Sequence, residues 1–292
     1  FDTVSLLSLS TADYPYLEQT IEKLQNYFTP LKVGLSLPSL KVQAQLELLP
    51  KLVNSVRKSG LTIAVEAATE KLRKIINKPI TDQHLFAAVA AAYSAGFQSL
   101  KLYFMTGYPG EKEKDIEQIV DLCNNLSQLR KECTGPKGTK FSSPASINIS
   151  VSFLVPKPHT PFAFIPAKSR EYFQKAKQII IDRKRVLRAS KLRFKFHSVQ
   201  RSCLETVIAR ADRRIAPAIK TAFDSGAKFD LWDECFDFQT WQNAFAAHGL
   251  DIDKLAQQSF NHEDKLPWEH LGSPSKDMLI KHYNNAIQIA ES

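Results

Sequence analysis

Apolar positions along the chain change period repeatedly. Leu17, Ile21, Leu24 and Phe28 recur at helical spacing, as do Leu49, Leu52, Val53 and Val56, and later Ile116, Ile119, Val120, Cys123 and Leu126. Between these faces lie short β-branched or alternating runs at residues 3–9, 32–37, 61–65, 98–105, 147–155 and 191–197, each of which predicts a strand. The punctuation agrees. Gly60 and Gly96 sit where helices over 46–58 and up to Ala95 must stop, Thr81 or Asp82 stands as an N-cap, and Pro79 interrupts a short helix over 72–76. Strand–helix alternation implies parallel strands with right-handed crossovers, an α/β architecture that points to a barrel or part of one. A basic helix over 170–189 precedes the last strand. Beyond Ser198 helical stretches dominate, and Trp232, Trp241 and Trp268 read as core anchors. A boundary is expected between residues 165 and 200.

The most informative local pattern spans residues 99–115. A strand-like run ends at Gly107, Tyr108-Pro109-Gly110 turns the chain, and Glu111, Glu113 and Asp115 open a helix where its dipole favours negative charge. Gly107 and Gly110 permit positive φ and close backbone approach by a ligand, while Pro109 holds Tyr108 extended. Sites in parallel α/β folds lie at strand C-termini. A plain βα connection with no ligand uses the same residues.

Composition narrows the classes. The 292 residues are 43% hydrophobic, enough for a large core, and no apolar run approaches the ~20 residues of a membrane span. The chain opens on Phe1 directly in a strand-like run, which reads as the interior of a longer domain. Cys123, Cys133, Cys203 and Cys235 are far apart, with no CxxC or CxxxCxxC, so a metal site made wholly within the chain is not expected. Cys123, on an apolar helix face, reads as a buried thiol, and a reducing cytoplasm suits this cysteine usage. The net charge of +9 is regional: residues 168–228 hold 17 Lys and Arg against 5 Asp and Glu. A solvated helical face or a phosphate-binding surface, RNA included, both account for it.

Several ordered segments then resemble a known family. They are residues 3–14, 33–39, 59–69, Ile76-Asn77-Lys78, Tyr103-Phe-Met-Thr-Gly-Tyr-Pro-Gly-Glu111 and Phe153-Leu-Val-Pro-Lys-Pro-His-Thr-Pro161. In this order they resemble the radical SAM superfamily, in the branch shared with methylthiotransferases and Elongator-type enzymes. The best match is an uncharacterised bacterial family whose core follows a cobalamin-binding-like domain. Residues 202–214, 229–232 and 266–270 resemble that family's tail. The resemblance implies a partial TIM-type (β/α)6 barrel over 1–197, its first strand missing, followed by a mainly helical accessory region over 198–292. It implies S-adenosylmethionine, a [4Fe–4S] cluster held by a CxxxCxxC segment upstream of Phe1, a reductant such as flavodoxin or ferredoxin, and cobalamin through a further N-terminal domain. Reduction would split the cofactor and the deoxyadenosyl radical would take hydrogen from an unknown substrate. A cluster-less RNA-binding or scaffold module on the same barrel is the other reading.

The resemblance also implies residue roles. Ser10 aligns with the segment that meets the methionine amine, although a helix-entry turn capped by Thr11 or Asp13 is equally expected there. Glu66 aligns with the polar strand-end residue that contacts ribose or methionine, and Lys78 with a partner for the methionine carboxylate. Thr106 and Gly107 align with the adenine-side turn, and Val155 lines the adenine pocket. His159 reads as structural or substrate-side, and His197 as a substrate-side group or a core histidine. Arg210, Arg213 and Arg214 form either an ion-pair network with Asp212 or an anion- or RNA-binding cluster.

Overall fold

The computed structural model describes residues 2–6, 14–36, 61–272 and 274–292. The expected helix over 46–58, its Gly60 stop, the ends of the first two strands and Ser10 lie outside those residues. The chain divides into two compact units. The first comprises residues 1–105, 112–152 and 179–196, and the second 106–111, 153–178 and 197–292.

In the first unit, β1 (Thr3–Ser5) and β2 (Gly34–Ser36) pair in parallel, with α1 (Leu17–Phe28) between them in sequence. A four-stranded sheet follows in chain order: β3 (Leu61–Glu66), β4 (Ser99–Thr106), β5 (Ser146–Phe153) and β6 (Leu192–Phe196). The pairs β3–β4 and β5–β6 are parallel, with Ile63 beside Leu102 and Ile149 beside Phe194. The connections carry α2 (Glu70–Ile75), α3 (Asp82–Ser94) and α4 (Glu113–Leu129). Sequential strand order with right-handed crossovers puts such helices on one face of the sheet. The alternation obeys this: Leu100, Leu102 and Phe104 are buried on β4, and Ile147, Ile149 and Val151 on β5. The intervening Lys101, Asn148, Arg193 and Lys195 are exposed. The α/β class with parallel strands is thus the one expected from the pattern.

Polar contacts lock the helices. Thr81 caps α3 by accepting the His84 N–H at 3.1 Å, and Gly96, at φ 96°, ends it. The buried Tyr93 hydroxyl donates to the Leu126 carbonyl on α4 at 2.9 Å, and burial pushes its pKa up. The helix α5 (Arg170–Val186) joins its second half to this unit, where Arg183 makes a two-pronged contact with Asp121 at 2.8 and 2.9 Å. It stops where Arg188 turns to φ 49°, three residues short of the expected end at 189.

The second unit is mainly helical: α6 (Val199–Arg210), α7 (Ala216–Asp224), α8 (Phe238–Ala246), α9 (Ile252–Ala256) and α10 (Lys276–Glu291). Val207, Ala218, Trp241 and Phe245 form one core, and Phe164, Leu266, Trp268 and Leu279 another. Trp241 and Trp268 are the anchors expected. Trp232 is not: it lies 61% exposed beside exposed Phe229 and Leu231. His197 is also exposed, just past the end of β6, and so is not a core histidine.

Candidate functional site

Two strand ends carry the site residues expected from the sequence, one in each unit. In the first unit, the β3–β4 register shifts between Ala64 and Glu66, and Glu66 takes φ 69°. A left-handed backbone is costly for any residue with a Cβ, and such residues collect where structure serves a ligand. The Glu66 carboxylate accepts from the Lys78 Nζ at 3.2 Å, with both side chains about 30% exposed. Between them, Thr69 caps α2 by accepting the Leu72 N–H at 3.3 Å. The chain then returns through Lys78, whose N–H donates to the Arg73 carbonyl at 2.8 Å. The local sequence thus forms a short helical excursion that brings residue 78 back to residue 66. Arg73 is fully buried and pairs with Asp82, leaving its Nε and Nη1 without partners. No sequence signal marked it, because a lone Arg in a helical run reads as solvent-facing.

In the second unit, the residues after β4 form a tightly held turn. Thr106 is fully buried and its hydroxyl has no hydrogen-bond partner, while its carbonyl accepts the Leu154 N–H at 2.8 Å. Gly107 takes φ 105° and donates its N–H to Glu111 Oε2 at 2.6 Å. The Tyr172 hydroxyl donates to that same oxygen at 2.5 Å. Glu111 therefore does not serve as a helix-opening acid: α4 begins at Glu113, and Asp115 accepts the Lys112 N–H at 2.8 Å. The space beside the two glycines is filled by protein rather than left for a ligand. A Cβ on Gly107 would lie 2.8 Å from Phe173 Cε1, and one on Gly110 2.9 Å from the Ala290 carbonyl oxygen. Val155 follows Leu154 and is half-buried, and His159 takes φ 57° in the proline-rich loop.

The donor chemistry separates the two implied cofactors. In the first unit, opposite charges at Glu66 and Lys78 suit the zwitterionic methionine part of S-adenosylmethionine; in the second, taken by itself, an orphaned hydroxyl at Thr106 and the apolar Leu154–Val155 step suit an adenine. The cysteines do not suit a cluster. Each unit holds two, Cys123 with Cys133 and Cys203 with Cys235, so neither supplies three thiolates. Burial pushes the Cys123 thiol up, and burial with the Asp253 charge pushes Cys203 up to about 12. Among the described residues no group of three or more His, Cys, Asp or Glu could hold a metal ion.

Much of the basic stretch 168–228 is internally neutralised. Arg170 pairs with Asp253, Arg183 with Asp121, Arg201 with Asp233, Arg214 with Asp212 and Lys220 with Asp224. Among the described residues Arg210 is in no ion-pair network: it is 2% exposed and donates to backbone carbonyls. Among the described residues, no helix is long and apolar enough to cross a membrane.

Residues 2–123 match the family described as the Radical SAM superfamily. The chain is also 28% identical over 214 residues to an uncharacterised protein of Methanocaldococcus jannaschii, covering 73% of this chain and 42% of that protein. The chain therefore spans less than half the length of this relative. Neither match supports the cobalamin expectation.

Proposed function

We propose, from the radical SAM superfamily as the family to which residues 2–123 belong, that the chain is the S-adenosylmethionine-binding core of a radical SAM enzyme acting on an unidentified substrate. The [4Fe–4S] cluster would be held by residues other than this chain's four cysteines. The observation that carries the reading is Glu66, held at φ 69° at the end of β3 with Lys78 at 3.2 Å. When bound, cluster and S-adenosylmethionine together supply a hydrogen-abstracting radical. The chain's own residues bind and orient. Lys78 takes the methionine carboxylate, and Glu66 the amine or ribose hydroxyls, each giving up part of a mutual ion pair worth at most ~1 kcal/mol at such exposure. The resemblance assigns Thr106, Gly107 and Val155 to the adenine side and Ser10 to the amine; within the second unit, the unpartnered Thr106 hydroxyl supports its assignment. Residues 1–197 form the barrel and 198–292 an accessory region.

The test is the full-length protein, reconstituted anaerobically with iron and sulfide and then reduced. Release of 5′-deoxyadenosine from S-adenosylmethionine is expected, and its absence from protein that carries the cluster would reject the catalytic reading.

A second reading, a module that binds RNA without a cluster, draws on one observation. Lys184 and Arg188 near the end of α5, and Lys191 just before β6 with Arg193 and Lys195 along it, have no acid partner among the described residues. Alternate residues on a strand lie ~6.6–6.8 Å apart on one face, so Arg193 and Lys195 stand side by side as two cations. Binding that weakens steeply with salt is its signature.

A further inference from the structure

Among the described residues, the helical unit contains a cation with no anion paired to it. Arg210, at the end of α6, is 2% exposed. Its Nη2 donates to the Ala163 and Gln258 carbonyls at 3.0 and 2.9 Å, and its Nη1 to the Ala256 carbonyl at 3.4 Å. The guanidinium lies 5.0 Å from the centre of the Phe260 ring. The Nε–H is buried with no partner. A buried guanidinium ordinarily faces a carboxylate, because neutral carbonyls satisfy its donors but not its charge. The carbonyls at the end of α9 offset part of that charge. The remainder is uncompensated, and burial alone lowers the Arg210 pKa to about 10, with no acidic group contributing.

Beside this group lies a cavity of about 80 Å³ whose walls include Arg210, Asp212, Arg214, Leu255, Phe260 and Pro267. That is room for two or three water volumes at ~30 Å³ each. Asp212 is committed to Arg214, accepting from its Nε at 2.9 Å and lying 2.8 Å from its Nη2. Two guanidinium groups and one carboxylate leave the wall one positive charge in excess. A monoanion cancels that excess, whereas a phosphate dianion would overshoot it among side chains that cannot solvate the surplus. Gln258 apart, the remaining walls are apolar and suit a short hydrocarbon body.

We infer that the Arg210 cavity is a binding site for a small carboxylate, a single negative charge on a body of two or three carbons. The carboxylate oxygen takes the Nε–H of Arg210, and Arg214 closes over it from the exposed side. The same chemistry occurs in a free short-chain acid and in the terminal carboxylate of a polypeptide. The site is independent of the cofactor reading above.

The test follows the Arg210 Nε–H resonance in the ¹⁵N-labelled full chain, identified by its loss in Arg210→Lys. Propionate is titrated against sodium chloride at equal ionic strength, with inorganic phosphate and a peptide ending in free alanine as parallel arms. A saturable shift with propionate or the peptide, at least tenfold weaker in Arg214→Gln, is the expected result. The tighter of the two identifies the source of the carboxylate. Arg214 is surface-exposed, so its variant keeps the test informative if Arg210→Lys does not fold. A shift that chloride or phosphate reproduces, no shift at all, or full propionate affinity in Arg214→Gln would overturn the assignment.

Discussion

The ends of β3 and β4 meet the same backbone requirement with opposite residues. Both chains leave the strand through positive φ, 69° at Glu66 and 105° at Gly107. At Gly107 the conformation is free of side-chain strain, and the surroundings exploit the missing Cβ by packing Phe173 into its place. At Glu66 a charged side chain bears the strain and is left about 30% exposed, with Lys78 as partner. One strand end is built for rigidity. The other keeps two charges accessible at a cost of ~1–3 kcal/mol, which a purely structural turn would shed by using glycine.

Substitution separates these roles. The largest effect is expected from Gly107→Ala, which combines a disallowed backbone with a clash on Phe173. A loss of roughly 2–4 kcal/mol by denaturant unfolding is expected, and a loss below ~0.5 kcal/mol would mean that the turn yields. Next is Tyr172→Phe, which removes a donor to Glu111 Oε2 and should cost about 1–2 kcal/mol. No change there would mean that Glu111 is held without the Tyr172 hydroxyl. The smallest stability effect belongs to Glu66→Gly. Relief of strain, about 1 kcal/mol, offsets the lost ion pair of similar size, so the unfolding midpoint should barely move. S-adenosylmethionine affinity in the reconstituted full-length protein should nonetheless fall about tenfold, or ~1.4 kcal/mol. Calorimetry showing intact affinity would remove Glu66 from the site and leave its strain without a functional account.

The contrast also explains what the sequence could and could not convey. The strands and most helices were legible because burial alternates where composition alternates, as on β4 and β5. The left-handed turn at Gly107 was legible because glycine advertises it. The same conformation at Glu66 left no compositional trace, since it follows from a register shift against β4. Glu111 was misread because its partners, Gly107 N–H and Tyr172, come from the turn and from a helix 61 residues on. Of the two readings open for Arg210, the ion-pair network fails for a related reason: its acceptors are carbonyls 46 to 48 residues away, and a carbonyl has no side-chain signature. Trp232 shows the converse, a large ring whose type suggested burial and whose surroundings do not supply it.

The packing of Phe173 against Gly107 has an evolutionary consequence. Position 107 is fixed on two separate counts, its backbone angle and its occupied Cβ space, so no change at 173 can free it. Position 173 is bounded only by the volume it must fill, so drift is open to it and closed to its partner.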